Sequence, residues 1–180
     1  MKKILFAASE AVPFMKTGGL ADVTGSLPKY FDKKNYDVRV ILPKYVCMEE
    51  RWKGQLHFLC HFYVNLSWRK QYVGIFETTY DGITYYLVDN EFYFAGNAPY
   101  NNIYEDVEKF AFFSKAVLEA LPYLDFCPDI IHCHDWQTGL LPVFLRTLYG
   151  DEEYYTGIKT VFSIHNLKFQ GRWKLPAVMD

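Results

Sequence analysis

Three short stretches of this chain carry residue types able to do chemistry. Lys16-Thr17-Gly18-Gly19-Leu20-Ala21-Asp22 brings a cation and a glycine pair to what reads as the start of a helix. The first amide N–H groups of a helix lack intrahelical partners and the helix dipole adds partial positive charge there, so anions bind at such a place. Gly18 and Gly19 let backbone approach a ligand closely, and Lys16 adds a full charge. Two nucleotide motifs are excluded: Lys16 precedes the glycines, unlike G-x-x-x-x-G-K-[ST], and the spacing is not G-x-G-x-x-G. An ordinary tight turn eased by two glycines is the plain alternative. The second stretch, His132-Cys133-His134-Asp135-Trp136, and the third, Ser163-Ile164-His165-Asn166, each place polar side chains at the end of an apolar run. His-x-His-Asp admits a metal reading, but no further ligand cluster accompanies it, so core histidines are expected and no metal. Asp135 also suits the N-cap of the helix that follows.

The elements that must position these residues read as strands alternating with helices. Ile4 to Ala8 is a continuous apolar run, the mark of a strand buried on both faces, and Leu20, Val23, Leu27, Tyr30 and Phe31 recur at helical spacing over about Leu20–Lys33. Tyr36–Leu42 is a second strand, stopped by Pro43. From Gln55 to Asn90 the pattern alternates, and Asp81-Gly82 between two apolar runs signals a hairpin, so an antiparallel excursion from the parallel sheet is expected. A free-standing, tyrosine-rich ligand-binding hairpin is the weaker alternative, because half-buried strands are aromatic-rich in any case. Asp89–Asn102 reads as a long loop, Asp106–Leu121 as a helix with an aromatic core stripe, Pro128–His134 as a strand, Gln137–Leu148 as a helix and Lys159–Ile164 as a strand. In open α/β sheets ligands bind beyond the carboxyl ends of the strands, which is where Asp135, His165 and Asn166 fall.

The chain has 180 residues, of which 51% are hydrophobic, enough for one sizeable core. Its net charge of -2 gives no electrostatic reason to expect nucleic acid or an anionic membrane as partner. Cys47, Cys60, Cys127 and Cys133 are scattered without C-x-x-C spacing, which fits a reduced, cytoplasmic compartment. Glu10 breaks the early apolar run before it reaches signal-peptide length.

The glycine stretch, preceded by Ser9-Glu10 and followed by Leu27-Pro28, resembles the N-terminal signature of glycogen and starch synthases. His132 to Leu140 and Ser163 to Gly171 match the same family in the same order, and the resemblance spans nearly the whole chain. It implies an α/β, Rossmann-like, mostly parallel sheet, one half of a two-domain GT-B glycosyltransferase, with residues 1–180 an incomplete N-terminal catalytic domain and a second domain of the same chain missing. It implies transfer of glucose from ADP-glucose or UDP-glucose to an α-1,4-glucan with retention of configuration, no cofactor, and a fragment inactive by itself. Lys16, Gly18, Gly19 and Asp22 would bind the donor together with Asn166, Asp135 and His165 would hold glucosyl hydroxyls near the reacting carbon, and a loop aromatic, taken as Tyr93, would reach the cleft. A module that binds nucleotide sugar or glucan without chemistry is the alternative function. A Rossmann oxidoreductase is a further rival, disfavoured because G-x-G-x-x-G is missing after the first strand.

Overall fold

The computed structural model describes residues 1–67 and 69–172. Five strands, β1 (Lys2–Ala7), β2 (Tyr36–Pro43), β5 (Ile83–Asp89), β6 (Ile130–His134) and β7 (Lys159–Ser163), are all parallel in the order β5-β2-β1-β6-β7. β3 (His57–Leu66) and β4 (Arg69–Tyr80) extend the β5 edge by antiparallel pairing, giving seven strands. The four strands expected to be parallel are so. The expected hairpin also forms, with Asp81 at φ 50° and Gly82 at φ 72°, but its second strand is no excursion. β5 pairs parallel to β2 from Val40↔Tyr85 to Pro43↔Val88, because Tyr85, Tyr86, Leu87 and Val88 are all buried and can only be interior.

Alternation along the central strand sets the two layers. Leu5 and Ala7 face a core with Ile41, Val88, Ile131 and Cys133, covered by α3 (Ile103–Ala120) and α4 (Leu140–Thr147), while Ile4 and Phe6 face a second core with Val38, Val40, Leu42, Tyr85 and Phe14. The aromatic stripe of α3 is core as expected, with Phe110, Phe113 and Val117 all buried. α3 begins at Ile103, earlier than its apolar period shows, because the Asn102 side chain accepts from the Tyr104 and Glu105 amides. α1 (Gly19–Ser26) is shorter than expected and tightens into a 3₁₀ turn at Leu27–Tyr30, around Pro28. It lies close on the chain leaving β1: a Cβ on Gly25 would meet the Val12 carbonyl oxygen at 2.4 Å. The helix expected from Gln137 is a 3₁₀ turn, Trp136–Thr138, followed by α4. One more short helix, α2 (Glu50–Lys53), precedes β3. The carboxyl ends of β1, β6 and β7 and the start of α1 thus share one edge.

Candidate functional site

The glycine loop is held from behind by a buried carboxylate. Glu10 accepts hydrogen bonds from the Thr17 amide and hydroxyl and from the Tyr100 hydroxyl at 3.0 Å, and its carbonyl accepts from Thr24 Oγ1 of α1 at 2.6 Å. Tyr100 in turn receives Ser9 Oγ at 2.8 Å, which ties the Asp89–Asn102 loop to the end of β1. Among the described residues, no atom beyond their own stretch of chain lies within 4 Å of where a Cβ would stand on Gly18 or Gly19, and both glycines line the cavity. Lys16 Nζ pairs with Asp22 at 2.7 Å, both side chains about half exposed.

Across the cavity, Asp135 does something the sequence does not announce. Its backbone sits at φ 60°, ψ 178°, a region held essentially by glycine, at a cost of about 1–3 kcal/mol. The side chain makes no cap; Asp135 Oδ1 instead accepts from the His165 amide at 2.7 Å, joining the ends of β6 and β7. The capping alternative is therefore replaced by a cross-strand clamp. Beneath it three imidazoles stack: His132 and His134 centroids are 4.1 Å apart, His134 and His165 5.2 Å. His132 Nε2 meets Ser163 Oγ at 2.7 Å and His134 Nδ1 meets His165 Nε2 at 2.9 Å, so Ser163, the His165 ring and the His165 amide engage His132, His134 and Asp135 at three different atoms. Burial, with the neighbouring histidines adding, pushes the His134 pKa down to about 3, and burial also lowers that of His132. Both rings are neutral at ordinary pH.

These elements line an open cavity of about 1150 Å³. Of the residues singled out in the sequence, Gly18, Gly19, Asp135, His165 and Asn166 line it together. Lys16 and Asp22 are not in the lining, though the adjoining Thr17 is. Tyr93 is not brought to it: the ring is buried, stacks on Phe112 at 4.6 Å and donates its hydroxyl to Glu108 at 2.5 Å. The aromatic of that loop which does line the cavity is Tyr100. Sequence reading also missed Gln137, Lys168 and Arg172 in the lining. The last two arrive because the chain beyond His165 turns back over Trp136, and Gly171, at φ 58°, leaves no room for a side chain there: a Cβ would stand 2.4 Å from the indole. The arrangement offers helix-terminal amides and cations to an anion, and a carboxylate-clamped histidine to a neutral polar group, within one cavity.

Residues 3–180 match the profile of the starch synthase catalytic domain. The chain belongs to this family. Relatives include the glycogen synthase of Lachnoclostridium phytofermentans, 66% identical over 180 residues, and that of Lachnospira eligens, 61% identical over 180 residues; the match covers all of this chain and 38% of each relative. Among solved structures, the catalytic domain of starch synthase IV from Arabidopsis thaliana, bound to ADP and acarbose, superposes with a TM-score of 0.83 at 29% identity, over 94% of this chain and 35% of that one. The chain thus spans well under half the length of the relatives it matches.

Proposed function

We propose that these residues form the N-terminal wall of the active site of a glycogen or starch synthase, a hexosyltransferase that moves glucose from a nucleotide sugar, ADP-glucose or UDP-glucose, to the non-reducing end of an α-1,4-glucan with retention. The observation that carries this reading is the convergence of Gly18, Gly19, Asp135 and His165 on one cavity. In the reaction, positive charge develops on the glucosyl ring and negative charge on the departing diphosphate. The amides at the start of α1 face the diphosphate, with Lys16, Lys168 and Arg172 as the nearby cations. Asp135 and His165 hold glucosyl hydroxyls, and the bond between the Asp135 carboxylate and the His165 amide keeps the two in fixed relation as charge builds.

No cofactor enters this scheme, since the nucleotide sugar is a substrate. The other wall, with further cations to balance the diphosphate and exclude water, belongs to polypeptide corresponding to the rest of the relatives' length. A cytoplasmic setting agrees with four free cysteines, and among the described residues no helix is long and apolar enough to cross a membrane.

Transfer of radiolabelled glucose to glycogen, measured with each nucleotide sugar for the 180-residue chain and for a protein of the relatives' full length, tests the reading. Transfer by the long form alone is expected. Full turnover by the short chain would overturn the one-wall assignment, and a long form that binds donor without transferring glucose would favour a binding module.

A further inference from the structure

His134 is placed in a way its neighbours' roles do not explain. Its ring is wholly buried between those of His132 and His165, with Phe6 at 4.9 Å, and Nδ1 meets His165 Nε2 at 2.9 Å. The opposite nitrogen, Nε2, is buried without a partner among the described residues. One proton lies between the two rings, and it belongs to one or the other. Were it on His165, neutral His134 would carry its own proton on Nε2, a buried donor facing nothing. Orphaned buried N–H groups are rarer than under-used acceptors, because the donor loses its water without replacement. A proton on His134 Nδ1 leaves only a lone pair unpartnered and supplies the donor the contact needs.

We propose that His134 is a positioning residue: its Nδ1–H donates to His165 Nε2 and thereby holds His165 as the neutral tautomer protonated on Nδ1. The backbone of His165 is fixed by Asp135 and its ring by His134, so two consecutive residues at the end of β6 set the whole side chain. His165 Nδ1 has no partner among the described residues and is the ring nitrogen left to meet a ligand; in this tautomer it is a hydrogen-bond donor and not a base. The burial that keeps His134 neutral is consistent with this role. That the ligand is a sugar rests on the transfer reading above; the position of the proton does not.

Nitrogen NMR of the full-length protein labelled at histidine decides it, since protonated and bare imidazole nitrogens resonate far apart. The expected result is His165 bare at Nε2 and protonated at Nδ1, with a coupling across the bond to His134 Nδ1. His134→Phe should let His165 drift to a mixture of tautomers, and His134→Asn, whose amide N–H can stand in for Nδ1–H, should restore the original one. His165 protonated at Nε2 in the wild type overturns the proposal, as does a tautomer that His134→Phe leaves unchanged. If the Phe variant fails to fold, the wild-type coupling and the Asn variant still decide. In glucose transfer, His134→Phe should lower kcat by about tenfold with donor KM little changed, and His134→Asn should recover most of it. A wild type that transfers no glucose would refute the transfer reading while leaving the tautomer result to stand or fall separately.

Discussion

Replacing Asp135 separates two effects that oppose each other at one residue. The carboxylate accepts a bond from the His165 amide at 2.7 Å, and a hydrogen bond to a charged group contributes about 1.5–3 kcal/mol. The backbone at φ 60°, ψ 178° costs about 1–3 kcal/mol for any residue with a Cβ. Asp135→Ala loses the bond and keeps the strain, so it should destabilise by about 1.5–3 kcal/mol. Asp135→Gly loses the same bond but relieves the strain, less about 0.5–1 kcal/mol for the greater freedom of an unfolded glycine. The glycine variant should therefore be the more stable of the two by about 0.5–2 kcal/mol, or some 1–8 °C in Tm for a chain of this size. Urea unfolding of both, at equal m-value, measures the difference. In a protein of the relatives' full length, both variants should lose glucose transfer to a similar degree, since both lack the carboxylate. Equal stabilities, or an alanine variant above the glycine one, would show that the Asp135 backbone is unstrained and the reasoning wrong.

Three further outcomes follow. The His134 pKa is depressed from 6.5 to about 3, so the unfolded chain binds the extra proton in that window; stability is full above 6.5 and falls as pH drops towards 3, by up to about 1.4 kcal/mol per pH unit. His134→Asn should flatten that slope in urea titrations, and an unchanged slope would mean that another group causes it. Gly25→Ala, whose Cβ would meet the Val12 backbone, should cost about 1–3 kcal/mol, read as a lowered urea midpoint; a wild-type midpoint would contradict the close approach of α1. In a protein of the relatives' full length, Tyr93→Phe should leave donor KM unchanged and lose about 1 kcal/mol of stability with its bond to Glu108, whereas Tyr100→Phe, which frees Glu10, should raise donor KM; the reverse pattern would return Tyr93 to the site.

The parallel strands, the glycine loop and the strand-end placement of Asp135, His165 and Asn166 were legible because each rests on local pattern: apolar runs, helical spacing, and polar residues just past a run. What was not legible depends on chain segments meeting. Ile83–Val88 reads as the second half of a hairpin from its turn, yet it is also an interior parallel strand, since pairing with β2 is a nonlocal choice. Tyr93 and Tyr100 share one loop and one residue type; packing on Phe112 and a bond to Glu108 send the first inward, while bonds with Ser9 and Glu10 draw the second to the cavity. Asp135 looked like a cap because aspartate before a helix usually is one, and nothing beside it marks its positive φ as the following glycine marks that of Asp81. Lys168 and Arg172 reach the cavity through a turn over Trp136, and Gly171 is its one trace in the sequence.

The central claim is that the start of α1 and the ends of β6 and β7 form one nucleotide-sugar site. Backbone amide shifts of the full-length protein, followed as ADP-glucose is titrated in, test it most directly. The account predicts that Gly18, Gly19 and His165 move together with a single dissociation constant, while Tyr93 stays still. Saturable binding that leaves Gly18 and Gly19 unmoved would contradict it.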